Sequence, residues 1–240
     1  MYDDDPAIEL TSPEEVRRRL SANRARRGYL LPHQGLMALA MPDLQDAYMV
    51  MYTALTLKRA HLSLYEKEFV WLGVLIAGGE HIGTHHVRLF LENGGDPRKL
   101  EIILRLVALA DGAPRSFQFL EKYWEKHFDP LKGRQAYWDA AEALVTGSEV
   151  PLELARLCLL AIHTTLGRKW GIECELQACY AIGVDEGKMG EVTCMPMWVA
   201  GMNRTIDAGE VWLEQIRSGK IKAGPSFTAW AEMDQGAMPL

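Results

Sequence analysis

The sequence predicts an all-α protein, and three observations carry that prediction. Apolar residues recur at helical spacing in nearly every segment, bracketed by capping residues and glycines, and no stretch alternates apolar and polar as a half-buried strand would. The chain also matches itself without a gap at an offset of 89 residues. Gly78 then pairs with Gly167, Gly94 with Gly183, Asp96 with Asp185, Lys99 with Lys188, Gly112 with Gly201, Glu121 with Glu210 and Glu125 with Glu214. Glycines and an Asp that fall at matching helix ends point to an internal duplication.

The elements follow in order. In "SPEEVRRRL", Ser12 reads as N-cap, Pro13 as the first helical residue and Glu15 as the partner closing a capping box. "PDLQDAYMVMYTALTLKR" sets Leu44, Tyr48, Met51 and Leu55 on one stripe. "SLYEKEFVWLGVLIAGG" opens on Ser63 and Glu66, a second capping box, and ends at glycines. "EHIGTHHVRLFLENGG" is expected to form the next helix and to stop at Gly94, with Asp96 and Pro97 starting the one after. The tail "SGKIKAGPSFTAWAEMDQGAMPL" shows no helical stripe, and Phe227 and Trp230 read as anchors on a neighbouring subunit. These readings divide the chain into an N-terminal helical arm (1–40), a first repeat (41–130), a second, degenerate repeat (131–218) and a C-terminal tail (219–240).

Composition excludes several classes. At 240 residues and 48% hydrophobic the chain can bury a substantial core. A net charge of −6 argues against a nucleic-acid partner, and the basic run "EEVRRRLSANRARR" reads as a solvated helix face. No apolar run reaches the ~18 residues a bilayer crossing needs. The acidic start "MYDDDPAIEL" lacks a secretory apolar region, so a cytoplasmic location and no membrane partner are expected. Cys158, Cys174, Cys179 and Cys194 form no CxxC pair and are expected to be reduced.

The chemistry concentrates in "GGEHIGTHH", which holds three of the seven histidines. On a continuous helix His81 and His85 would be i,i+4 neighbours, with His86 turned about 100° from His85. The pair has a zinc-like spacing, but HExxH order is absent and no third ligand is identifiable, so no metal or other cofactor is expected. A polar groove lining is a second reading. A third is an acid/base relay of Glu68, His81 and His86 facing an apolar pocket, since imidazole titrates near neutrality and a part-buried carboxylate can be tuned toward it.

The stretch "EKEFVWLGVLIAGGEHIGTHHVRLFLENGGDPRKLEIILRL" resembles the core of the carboxymuconolactone decarboxylase and alkylhydroperoxidase-D-like superfamily: a Glu in a hydrophobic helix, a polar patch, a His, a Gly eight residues on and an acidic helix start. His86 to Gly94 is that step, and Glu80 matches an acidic residue six before the histidine. The resemblance covers about 40–125 well and the second half as a degenerate copy. It implies an all-helical unit that assembles as homo-oligomers, commonly trimers or hexamers.

The family's peroxidase branch, laid on this sequence, puts its two histidines on His81 and His86, its glutamate on or next to Glu68 and its cysteines on Gly79 and Ile82. With no thiol at either place, peroxide reduction loses its nucleophile. The decarboxylase branch needs neither thiol nor cofactor. It implies a small carboxylated lactone or related organic acid as partner, with His86 as proton donor, His81 or Glu68 orienting it, and Glu80 as a second acid/base group or an exposed residue of the first turn. Arg88 or Arg59 would meet the substrate carboxylate, His85, Trp71 and Met51 would line the pocket, and Glu175, at the position duplicated from His86, would hold a neighbouring histidine. A catalytically silent binding protein, or a hydrolase or isomerase on the same fold, is the alternative.

Overall fold

The computed structural model describes residues 10–234 and Gly236, and they are helical, with no strand among them. Expectations for 1–9, 235 and 237–240 fall outside the described residues. The chain forms two compact units, divided between Lys58 and Arg59. The division falls inside the first repeat read from the sequence.

The first unit holds α1 (Pro13–Arg27), α2 (Pro32–Ala40) and α3 (Pro42–Tyr52), the last running into a π-helical turn, Thr53–Leu57. Ser12 Oγ accepts the Glu15 N–H at 3.3 Å, as an N-cap should. The reciprocal half of the expected capping box is replaced: the Glu15 carboxylate binds Arg18 and Arg19. Arg19 also reaches Asp46 at 3.0 Å, so cations of the basic run are neutralised within the unit. The buried positions of α3 and its turn are Gln45, Tyr52 and Thr56, whereas Leu44 stays 45% exposed. The apolar stripe expected from the sequence is therefore displaced by one residue, because the Gln45 amide donates to the Gln34 carbonyl at 3.4 Å and turns that face onto α2.

The second unit begins with α4 (Leu64–Gly78), α5 (Thr84–Glu92) and α6 (Pro97–Gly112). After short irregular turns come α7 (Gly133–Val145), α8 (Leu152–Leu166), α9 (Lys169–Ala181) and α10 (Glu186–Cys194). It ends with α11 (Met202–Arg217) and α12 (Pro225–Glu232). Ser63 and Glu66 form the complete capping box at the start of α4, at 3.3 and 2.7 Å. Asp96 caps α6 by accepting from Arg98 and Lys99.

The centre of this unit is the pair α4 and α8. Residues 154–165 of α8 are buried throughout, the mark of a helix surrounded on all sides, and α4, α6, α9 and α10 pack around it. Gly73 permits the close approach: a Cβ there would lie 2.6 Å from Cys158 Sγ. Shifting the bounds of α4 by 89 residues lands within one residue of those of α8, so the offset seen in the sequence relates the two central helices. Gly94 and Gly183, which end the helices that follow, both adopt the left-handed conformation, at φ 98° and 74°.

Two segments differ from expectation. Helix α5 starts at Thr84, not at Glu80, because α4 runs to Gly78 and the residues between form a loop closed by Glu80 Oε1 accepting the Ile82 N–H at 2.6 Å. The C-terminal region is not stripe-free. Pro225 opens α12, and Phe227, Trp230 and Ala231, at i, i+3 and i+4, face their own chain: Phe227 stacks on Trp212 with centroids 4.7 Å apart.

Candidate active site in the first half

Glu68 lies on α4, one turn inside a helix whose residues 67–75 are all buried. His86 sits in the first turn of α5. The two helices pack against each other, and the His86 Nδ1 and Glu68 Oε2 atoms meet at 2.6 Å. Both residues are only 3% exposed. A carboxylate in that position accepts the Nδ1–H and fixes the tautomer, leaving Nε2 as the atom that gives or takes a proton. Nε2 makes no hydrogen bond among the described residues. The ring is held flat by Trp71, whose indole stacks on it with centroids 4.9 Å apart and 27° between planes. Trp71 is fully buried, and among the described residues its Nε1 has no hydrogen-bond partner. His85, half-buried, lies against the other ring with centroids 4.0 Å apart.

The remaining expected site residues lie elsewhere. His81 is exposed in the α4–α5 loop, outside any helix, so the supposed i,i+4 face with His85 does not exist and His81 is not the group that orients His86. Glu80 is committed to its turn. Arg88 is on the surface in a bidentate pair with Glu92 at 2.8 Å, and Arg59 is exposed. Met51 is half-buried and belongs to the first unit. Among the described residues no group of three or more His, Cys, Asp or Glu side chains converges on a point where a metal ion would sit.

Glu175 does not hold a histidine. It is fully buried on α9 and accepts from Arg156 of α8 at 3.3 Å. Arg156 also donates to the Trp138 carbonyl at 2.9 Å. Close by, the Tyr137 hydroxyl of α7 and His163 Nε2 of α8 share a hydrogen bond of 2.8 Å. Burial pushes Glu175 up to about 7, against the opposing pull of Arg156. Burial holds His163 down to about 3, with the positive charge of Arg168 acting in the same direction. Among the described residues His163 Nδ1 and Glu175 Oε2 have no hydrogen-bond partner. Sequence reasoning missed Arg156, His163 and Tyr137, although "LELARLCLLAIHTTL" carried a signal: a cation and an imidazole seven residues apart in an otherwise apolar helix.

Residues 42–122 match the carboxymuconolactone decarboxylase family, and the matched stretch contains Glu68, Trp71, His85 and His86. No curated protein and no solved structure matches the chain. Among the described residues no helix is long and apolar enough to cross a membrane.

Proposed function

We propose, from the carboxymuconolactone decarboxylase family match at 42–122, that the protein is a cofactor-free acid/base enzyme acting on a small carboxylated lactone or related organic acid. The observation that carries this reading is the buried 2.6 Å pair of His86 Nδ1 and Glu68 Oε2 with Trp71 stacked on the imidazole. Loss of CO2 breaks a carbon–carbon bond and leaves its electron pair on the substrate, delocalised as an enolate. The protonated imidazole then delivers Nε2–H to carbon, and Nε2 regains a proton from water after product leaves. Through both steps the Nδ1–H stays donated to Glu68 Oε2, which keeps the ring in one tautomer and one orientation. Glu68 and Trp71 are positioning residues in this scheme, and His85 is the neighbour placed to meet substrate.

A second reading draws on the near-complete burial of both partners: the pair acts as an internal ion pair and the protein binds small acids without turnover. The two are separated by incubating the protein with a panel of carboxylated lactones and measuring bound ligand and released CO2 together. Release that disappears in His86→Gln supports the enzyme, and binding with no product across the panel supports the second reading.

A further inference from the structure

A cavity remote in sequence from the His86 site opens between α10, α11 and α12 with a volume of about 370 Å3. That is within the range of small-molecule pockets, typically about 300–1,000 Å3. Its walls are aromatic: Trp212, Phe227 and Trp230, with Trp230 nearly perpendicular to both other rings at 85° and 84°. Gly190 and Gly209 line it without side chains, and a Cβ on Gly209 would meet nothing within 4 Å. The Thr205 hydroxyl donates to the Thr193 carbonyl at 3.4 Å, and no charged residue contributes to the lining. At the 89-residue offset, Gly190 and Gly209 correspond to Glu101 and Leu120, so the first half carries bulkier side chains where the second half leaves space.

We propose that this cavity binds an uncharged aromatic small molecule. A lining without charge excludes an anion such as the substrate proposed for the His86 site, because neither Lys nor Arg is present to replace its hydration. Aromatic walls set edge-on and face-on to one another offer offset stacking and edge-to-face contacts to a planar ring. Ser226, exposed at the rim, supplies a hydroxyl for one polar substituent. Cys194 also lines the cavity and is half-buried, whereas Cys158, Cys174 and Cys179 are buried, so its thiol reports on occupancy.

The test uses the full chain and the neutral dye N-phenyl-1-naphthylamine. Saturable binding of one dye per chain is expected, displaced by indole but not by indole-3-acetate. Gly209→Leu, which grows a side chain into the open space, should weaken dye binding by at least about tenfold, the loss expected when an apolar pocket is filled by protein. Independently, saturating indole should slow maleimide labelling of wild-type Cys194 by about tenfold, since access to the thiol controls its reaction. A folded Gly209→Leu protein that binds dye with unchanged affinity would overturn the proposal. So would Cys194 labelling indifferent to indole, a result that decides the matter even where the leucine variant does not fold.

Discussion

The two halves of the chain place different chemistry on matching helices. In the first, α4 carries Lys67 and Glu68 in succession and α5 carries His86. At the same offset the second half has Arg156, Leu157 and Glu175. Glu68 takes the imidazole at 2.6 Å, while the Lys67 ammonium turns away to Glu191 of α10 at 3.1 Å. In the second half leucine replaces the carboxylate, glutamate replaces the imidazole, and the cation that pointed elsewhere now donates to the Glu175 carboxylate at 3.3 Å. The comparison teaches that the His86 and Glu175 position is buried and polar in both halves while its partner shifts by one residue along the central helix, and the residue types decide what the pair can do. Carboxylate with imidazole is a pair of the kind that can carry protons, whereas guanidinium with carboxylate is suited to a structural pair.

The largest expected effect strikes the structural pair. Arg156→Leu strands Glu175 in an apolar interior, a loss of about 3–5 kcal/mol in related buried pairs, and Arg156→Leu with Glu175→Leu should recover most of it. Denaturant titration of both variants checks this. Equal losses in single and double variants would show that Arg156 is needed for its bond to the Trp138 carbonyl and not for its charge.

Removing the orienting carboxylate of the first half should be felt in rate more than in stability. Glu68→Gln keeps size but can present its NH2 to Nδ1 and so favours the wrong tautomer. Turnover is expected to fall about 10- to 100-fold, as when groups that orient a working histidine are changed. If turnover is unaffected, His86 does not need Glu68 and the relay is a contact without consequence.

The smallest effect sharpens the second half. Glu175, raised to about 7, holds its proton more tightly folded than unfolded, so its stabilising contribution is complete below its usual 4.5 and is lost as pH rises through 7. His163, lowered to about 3 from the usual 6.5, acts the other way: the unfolded chain takes the proton first, and stability falls as pH drops from 6.5 through 3. Between 6.5 and 4.5 the two slopes, each at most about 1.4 kcal/mol per pH unit, oppose each other and leave the wild type nearly flat. Glu175→Gln should therefore lose stability on acidification through that window, and His163→Gln should gain it. Parallel curves in the two variants would remove Glu175 and His163 as the titrating groups.

Much of this arrangement was legible before any coordinates. Ser63 with Glu66 and Asp96 with Pro97 announced helix starts because capping depends on local hydrogen bonds that a few residues settle. Gly94 and Gly183 announced helix ends for the same reason. Glu68 and His86 could be grouped, with His81, because the resemblance lays a glutamate and two histidines on those positions. What was not legible depended on contacts distant in sequence. The length of α4 moved the start of α5 to Thr84 and put His81 in a loop. Helix α12 became visible once Trp212 gave Phe227 and Trp230 a surface to cover. The link between Arg156 and Glu175 required knowing that α8 is enclosed on every side, so that its cation had to find a carboxylate within reach.

The central claim is that proton transfer belongs to the first half. It is tested most directly by turnover numbers of His86→Gln and Glu175→Gln measured side by side on one substrate, with melting curves to confirm that both are folded. The account predicts a loss on the order of 10²–10⁴ for His86→Gln, the usual cost of removing a general acid, and about threefold or less for Glu175→Gln. Equal losses, or a larger one at Glu175, would contradict it.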